Sequence, residues 1–296
     1  MLDKNGFRLE PECIICLANK YFNKLPCEMD KETKSDYFQK VLNLISNAPL
    51  STTPPEIVAE IQKLQLDMFG VEEDFSYVKK YYNSLLLGKE QSLMQNIENA
   101  DDGLLLAVCY AVLGNYIDFG TSESVKEEKL NEILETAKEL TLNISELSNM
   151  KNDLHKAEKL VYITDNCGEI VLDKLLMKII LKKYPHLSIN IVVRGDNVLN
   201  DATVDDALQV GLDKIAPIFS NGSNIAGTSL EKISAKSREI IDSADVIIAK
   251  GQANFETMRY CGKNVYYLFM CKCKMFSERF NVKQFSPMII NDLRMD

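Results

Sequence analysis

The stretch ITDNCGEIVLD at residues 163–173 decides the reading of this chain. An apolar run leads into Asp165 and Asn166, turns through Gly168 and continues in a helical pattern. Alone, the aspartate–asparagine pair reads equally well as a helix cap. Oxygen donors at the carboxyl end of a strand can also hold a hard divalent cation, and the first amides of the next helix can hold an anion. Two later segments repeat the layout of apolar strand and charged loop: VVRGDNVLNDAT at 192–203 and VIIAKGQANFET at 246–257. Three such loops at one sheet edge would make a site, and their chemistry points to metal-dependent work on phosphate.

Around these segments, from Lys159 onward, strand patterns alternate with helical ones: KLVYIT, SINIVVR, KIAPIF, DVIIAK and NVYYLF are the candidate strands. Such alternation implies right-handed crossovers and a largely parallel sheet, which binds ligands beyond the carboxyl ends of its strands. The first half is helical by its three- and four-residue apolar spacing, over Glu12–Phe22, Ser35–Ser46, Glu56–Met68, Asp74–Leu87, Asp101–Phe119 and roughly Ser122–Leu140. Pro54 and Pro55 follow Ser51, Thr52 and Thr53 as a helix start, and GLLLAVCYAVLGNYIDFG at 103–120 reads as a buried central helix with Asn115 and Asp118 as polar exceptions near its end. The expected architecture is α/β, with a helical part over residues 1–150 packed on a three-layer α/β domain over 151–296.

Composition narrows the function classes. With 296 residues and 46% hydrophobic content the chain can bury a large core. A net charge of −9 argues against a broad nucleic-acid surface, so an anionic substrate needs a cation or lysines at the site. The absence of a long apolar span or a signal-peptide core gives the expectation of a cytoplasmic protein that uses no membrane and keeps its eight cysteines reduced.

Among individual residues, Asp201 joins Asp165 and Asn166 as a candidate metal ligand, and the two aspartates, Asp165 and Asp201, are the candidate catalytic groups. Two carboxylates and an amide suit Mg²⁺ or Mn²⁺. Asp205 and Asp206 open a helix, where their charge is stabilising in any case. Lys250 ends an apolar strand, so its ammonium is expected to emerge at the sheet edge and meet phosphate, beside Gly251 and Asn254. SNGSNIAGTS at 220–229 is a substrate loop or a long turn, and no P-loop. Cys13 and Cys16 form a helical CxxC that reads either as ordinary apolar packing or, with Cys273, as a second metal or redox site. His155 and His186 have no catalytic company, which leaves a serine–histidine–acid triad unsupported.

The segments DNCGEIVLD, VVRGDNVLNDATVDDA and AKGQANFET, with ECIICL near the start, DFSYVKKYYN at 74–83, GNYIDFG at 114–120 and LFMCKCK at 268–274, resemble the damage-control phosphatases over nearly the whole chain. The CxxC is similar to the branch typical of archaea and bacteria. That resemblance implies hydrolysis of small phosphate monoesters, such as sugar phosphates or damaged phosphometabolites, with one Mn²⁺, Co²⁺, Ni²⁺ or Mg²⁺. It implies metal ligation by Asp165, Asn166 and Asp201, and substrate contacts from Glu169, from the loop Gly251, Gln252, Ala253 and Asn254, and from Lys272. A haloacid-dehalogenase-like phosphatase is the rival enzyme, although Cys167 stands where its second aspartate is needed. A metal- or sugar-phosphate-binding regulator is the non-enzymatic rival.

Overall fold

Amphipathic spacing becomes helix throughout the first quarter of the chain. The computed structural model describes residues 8–70, 73–116 and 127–295. Helices α1 (Pro11–Asn23), α2 (Lys31–Asn47) and α3 (Pro54–Phe69) bury Leu17, Tyr21, Tyr37, Val41, Ile45, Ile57 and Ile61 against one another. Helix α3 starts as its sequence requires: Thr53 and Glu56 form a capping box and the two prolines fill the first turn.

Compactness divides the chain into residues 1–73 and 74–296, so the sequence-based division near residue 150 falls inside the second unit. The second unit holds α4 (Ser76–Leu87), α5 (Glu90–Glu98), α6 (Gly103–Gly114), α7 (Glu127–Glu135) and α8 (Ile144–Lys156), and then the alternating half. Helix α6 is apolar on nearly every face and buried along almost its whole length, as GLLLAVCYAVLG demands. Asp118, the second polar exception of that segment, lies outside the described residues.

The alternating half runs β1 (Lys159–Ile163), α9 (Glu169–Lys183), β2 (Ser188–Val193), α10 (Val204–Gln209), β3 (Ile218–Ser220), α11 (Ala235–Asp242), β4 (Val246–Lys250), α12 (Gln252–Met258), β5 (Val265–Met270), α13 (Lys274–Arg279) and β6 (Pro287–Asn291). The sheet order is β3-β2-β1-β4-β5-β6; every pairing is parallel except β5 with β6, which is antiparallel. The expected α/β class with a mostly parallel sheet is therefore present. Strand side chains alternate between two buried faces. Leu160, Tyr162, Ile191 and Ile248 join the core built with α6 and α9, while Tyr267 and Phe269 on the opposite face stack against Phe255 of α12. Strand direction changes its neighbour at β1, which has β2 on one side and β4 on the other. This is the topological switch point, where an open α/β sheet leaves a crevice at its carboxyl edge. Among the described residues, no helix is long and apolar enough to cross a membrane.

Candidate functional site

All three sequence-selected loops leave the sheet at that crevice. After β1 the chain bears Asp165 and Asn166, after β2 it bears Arg194 and Asp201, and β4 ends at Lys250. The first two loops are stitched together by backbone. Asn166 and Asp201 form an isolated antiparallel bridge, Ala202 N donates to Asp165 O at 2.7 Å, and Cys167 N donates to Asn200 O at 2.9 Å. Asp165, Asn166 and Asp201 are thereby neighbours, each no more than 6% exposed. Leu199, just ahead of Asn200 and Asp201, takes a left-handed φ of 49°, a strained turn for a branched side chain.

The third loop closes on the first. Gly251 has φ 82°, and a Cβ built there would stand 1.9 Å from Asp165 Oδ2. Only glycine allows the backbone to pass the carboxylate so closely.

Polar side chains fix the orientation of each acid. Asn115, at the end of α6, donates from Nδ2 to Asp165 Oδ2 at 2.9 Å and to Glu169 Oε2 at 3.2 Å, while its Oδ1 accepts from Met270 N. Asn166 Nδ2 reaches the same two carboxylates at 2.8 and 3.3 Å. Its nitrogen is committed, so the amide oxygen is the atom left to a cation. Arg194 lies on the other side, with Nε 2.5 Å from Asp201 Oδ2 and Nη2 3.4 Å from Asp165 Oδ1. Thr228, from the glycine-rich loop, accepts from Arg194 at 3.2 Å and donates to Asn254 Oδ1 at 2.8 Å. That loop packs behind the site and gives it a buried hydroxyl.

Two expectations need correction. Lys250 does not emerge at the sheet edge. It is fully buried, and its Nζ bonds Ala111 O at 2.7 Å, Glu169 Oε1 at 2.5 Å and Asp173 Oδ1 at 2.9 Å. An ammonium at the end of an apolar strand was bound to find partners, and α6 and α9 supply them before solvent can. Likewise, the amides at the turn into α9 do not wait for an anion, because Cys167 N is taken by Asn200 O, Gly168 N by Asn83 Oδ1 at 2.6 Å, and Ile170 N by Asn166 O at 3.2 Å. Of the substrate-binding candidates, Glu169, Lys250, Gly251 and Asn254 are buried, and Gln252, Ala253 and Lys272 keep partial exposure. Gln252 Oε1 accepts from the backbone of Lys272 and Cys273, tying α12 to the end of β5.

Electrostatics set this site apart from the rest of the core. Asp165, Glu169, Asp173 and Asp201 are four buried carboxylates around two fully buried cations, Arg194 and Lys250. Burial, then the charges of Asp201 and Glu169, push the Asp165 carboxyl well above the ordinary range, against the pull of Arg194 and Lys272. Burial also raises Asp201, with Arg194 opposing. Burial and the charge of Glu169 raise Asp173 to about 7, against the pull of Lys250. Asp173 Oδ2 has no hydrogen-bond partner, whereas Oδ1 accepts from Tyr162 at 2.7 Å. Burial pulls the Lys250 ammonium down, but Asp173 and Glu169 outweigh it and hold the group charged.

Elsewhere the expected roles are modest. Asp206 caps α10 with Thr203 and pairs with Lys79 at 2.7 Å, and Asp205 is exposed in the first turn. His155 and His186 contact each other and Tyr184. Cys13 and Cys16 lie on α1, half-buried and exposed, and Cys273 precedes α13. Among the described residues no three His, Cys, Asp or Glu side chains form a ready-made metal cage, of thiols or of carboxylates.

The comparison with known proteins agrees with the fold. Residues 9–287 match the Damage-control phosphatase ARMT1-like domain. This chain belongs to the damage-control phosphatase family. It is 29% identical over 275 residues to a damage-control phosphatase of Archaeoglobus fulgidus, covering 90% of this chain and 93% of that one. An uncharacterized protein of Methanocaldococcus jannaschii is 31% identical over 286 residues, covering 93% and 92%. A damage-control phosphatase of Pyrococcus horikoshii is 28% identical over 277 residues, covering 93% and 95%. The crystal structure of a duf89 family protein from Pyrococcus horikoshii superposes with a TM-score of 0.79 at 25% identity, covering 96% of this chain and 98% of that one. Membership supports a phosphatase role for this chain.

Proposed function

We propose that this phosphatase depends on one divalent cation, Mn²⁺, Co²⁺, Ni²⁺ or Mg²⁺, and hydrolyses small phosphate monoesters such as sugar phosphates or damaged phosphometabolites. One observation carries the reading. Asp165, Asn166 and Asp201 are brought side by side at the switch point, inside a buried cluster whose carboxylates outnumber its cations. Uncompensated buried charge is costly, and a divalent ion on two carboxylates and an amide oxygen relieves it. The donor set fits the metal. When bound, the ion supplies charge neutralisation at a phosphoryl oxygen and a site for an activated water.

The chain's own groups do the remaining work. Arg194 holds Asp201, and Asn115 holds Asp165 beside Glu169, so both acids are oriented before substrate arrives. Asp201 Oδ2 is taken by Arg194, which leaves Oδ1 as the oxygen open to the cation. Lys250 fixes Glu169 from below. Lys272, partly exposed and electrostatically felt by Asp165, is the cation we assign to the substrate phosphate. Cys167, fully buried with its thiol pushed well above the ordinary range by burial, supplies no acid–base group of the haloacid-dehalogenase kind.

A phosphate-ester panel with each metal tests the reading and ranks substrates. Lys272→Met should raise KM for aryl and sugar phosphates about tenfold or more, or lower kcat if the lysine acts mainly on the transition state. No turnover with any metal and ester would favour the regulator reading instead.

A further inference from the structure

The segment DFSYVKKYYN takes no part in the chemistry above, yet it becomes α4 and places two buried polar side chains one turn apart on a single face. Asn83 is fully buried and Lys79 is 3% exposed. Each grips a different metal loop. Asn83 Oδ1 accepts from Gly168 N at 2.6 Å, at the glycine turn after Asn166, and Asn83 Nδ2 donates at 3.0 Å to Oε1 of Gln209, the last residue of α10. Lys79 Nζ reaches Asn197 Oδ1 at 3.2 Å and Asp206 Oδ2 at 2.7 Å. Those two residues flank Asp201, Asn197 on its loop before it and Asp206 in the first turn of α10 after it.

We propose that α4 is a positioning element for the cation site: Asn83 sets the turn that presents Asp165 and Asn166, and Lys79 holds both ends of the loop that presents Asp201. The proposal rests on the metal reading above for its functional consequence. Its physical basis is separate. Neither side chain hydrogen-bonds a proposed ligand: Asn83 acts through the Gly168 amide, and Lys79 through the side chains of Asn197 and Asp206, with its charge also felt by Asp201. The bridge between Asn166 and Asp201 makes the two loops one unit, and slack in either displaces donors of both. Gly168 also carries a φ of 79°, a conformation that an unanchored glycine leaves readily.

The test uses the full chain with Asn83→Ala, Asn83→Asp and Lys79→Met. Mn²⁺ affinity is measured by calorimetry, and amide hydrogen exchange of peptides spanning 165–170 and 197–206 is measured without metal. Asn83→Ala should weaken Mn²⁺ binding about tenfold or more, the range for lost outer-shell support. It should also speed exchange in the 165–170 peptide. Asn83→Asp keeps an acceptor for Gly168 N at a helix start and should stay within about threefold of wild type. Lys79→Met should loosen the 197–206 peptide and weaken Mn²⁺ binding to the same degree. Should Asn83→Ala fail to fold, the aspartate and Lys79 variants still decide. Unchanged affinity and exchange in Lys79→Met, or tenfold loss in Asn83→Asp, overturns the proposal. If wild type binds no Mn²⁺, the metal reading fails, while the exchange data still say whether α4 holds the loops.

Discussion

The guanidinium of Arg194 and the carboxylate of Asp201 meet at 2.5 Å, seven residues apart in the chain and both almost wholly buried. Nothing else so buried offers Asp201 a positive charge at this distance among the described residues. Arg194→Met therefore strands a buried carboxylate, a change that costs about 3–5 kcal/mol when one partner of a buried pair is lost. The metal-free variant should melt well below wild type, and saturating Mn²⁺ should recover more of the loss than it adds to wild type. Equal melting of the two metal-free proteins would remove Arg194 from the site.

Gly251 gives a second, sharper expectation. A methyl group at this position falls 1.9 Å from Asp165 Oδ2, and the backbone φ of 82° already disfavours any side chain. Gly251→Ala must push the carboxylate from its place or open the turn at the start of α12. Mn²⁺ affinity should fall about tenfold or more even in protein that stays folded. Calorimetric titration checks this, and wild-type affinity would mean that Asp165 is free to move without consequence.

Proton uptake and release follow from the raised carboxyls. Asp165 and Asp201 hold protons above the ordinary range in the metal-free protein because burial disfavours their charge, and because Asp201 and Glu169 repel charge on Asp165. A raised acid contributes stability that is full below its unfolded value and is lost as pH rises through the folded one. Metal-free protein should thus lose this contribution as pH rises from the unfolded carboxylate range through the raised folded values. Binding of Mn²⁺ must displace the protons, so its affinity should climb over the same span. Calorimetry in buffers of different ionisation enthalpy should show proton release. Proton-neutral binding would contradict the assignment of both acids as ligands.

How much of this was written in the sequence depends on distance along the chain. The three strand-end loops were legible because an apolar run followed by Asp, Asn, Gly or Lys is a local pattern, and the parallel topology brings such ends together. Asp165, Asn166 and Asp201 were found that way. Arg194 was not, although it ends an apolar strand beside a glycine just as Lys250 does; a charge at a strand end reads as solvated until the fold shows it turned back onto Asp201. The burial of Lys250 was misread for the same reason, since its partners Glu169 and Asp173 lie on α9, far earlier in the chain. Asn115 was noticed only as a polar exception in an apolar helix, and its reach to Asp165 and Glu169 is purely tertiary. Strand β6 escaped because PMIIN is short, starts with proline and joins the sheet antiparallel. Helix α5 is short, with nine residues, whereas α8 carries Leu147, Met150 and Leu154 at three- and four-residue spacing, a period that its many polar residues mask.

The central claim is that one cation on Asp165, Asn166 and Asp201 drives phosphate hydrolysis. Initial rates on an aryl phosphate, measured for wild type and Asp201→Ala with added Mn²⁺ and again after EDTA, test it most directly. Wild type should turn over with Mn²⁺ and stop in EDTA, and folded Asp201→Ala should lose about a hundredfold or more of the Mn²⁺-supported rate, the scale of a removed charge-stabilising group. Near-normal, EDTA-sensitive turnover by Asp201→Ala would contradict the assignment.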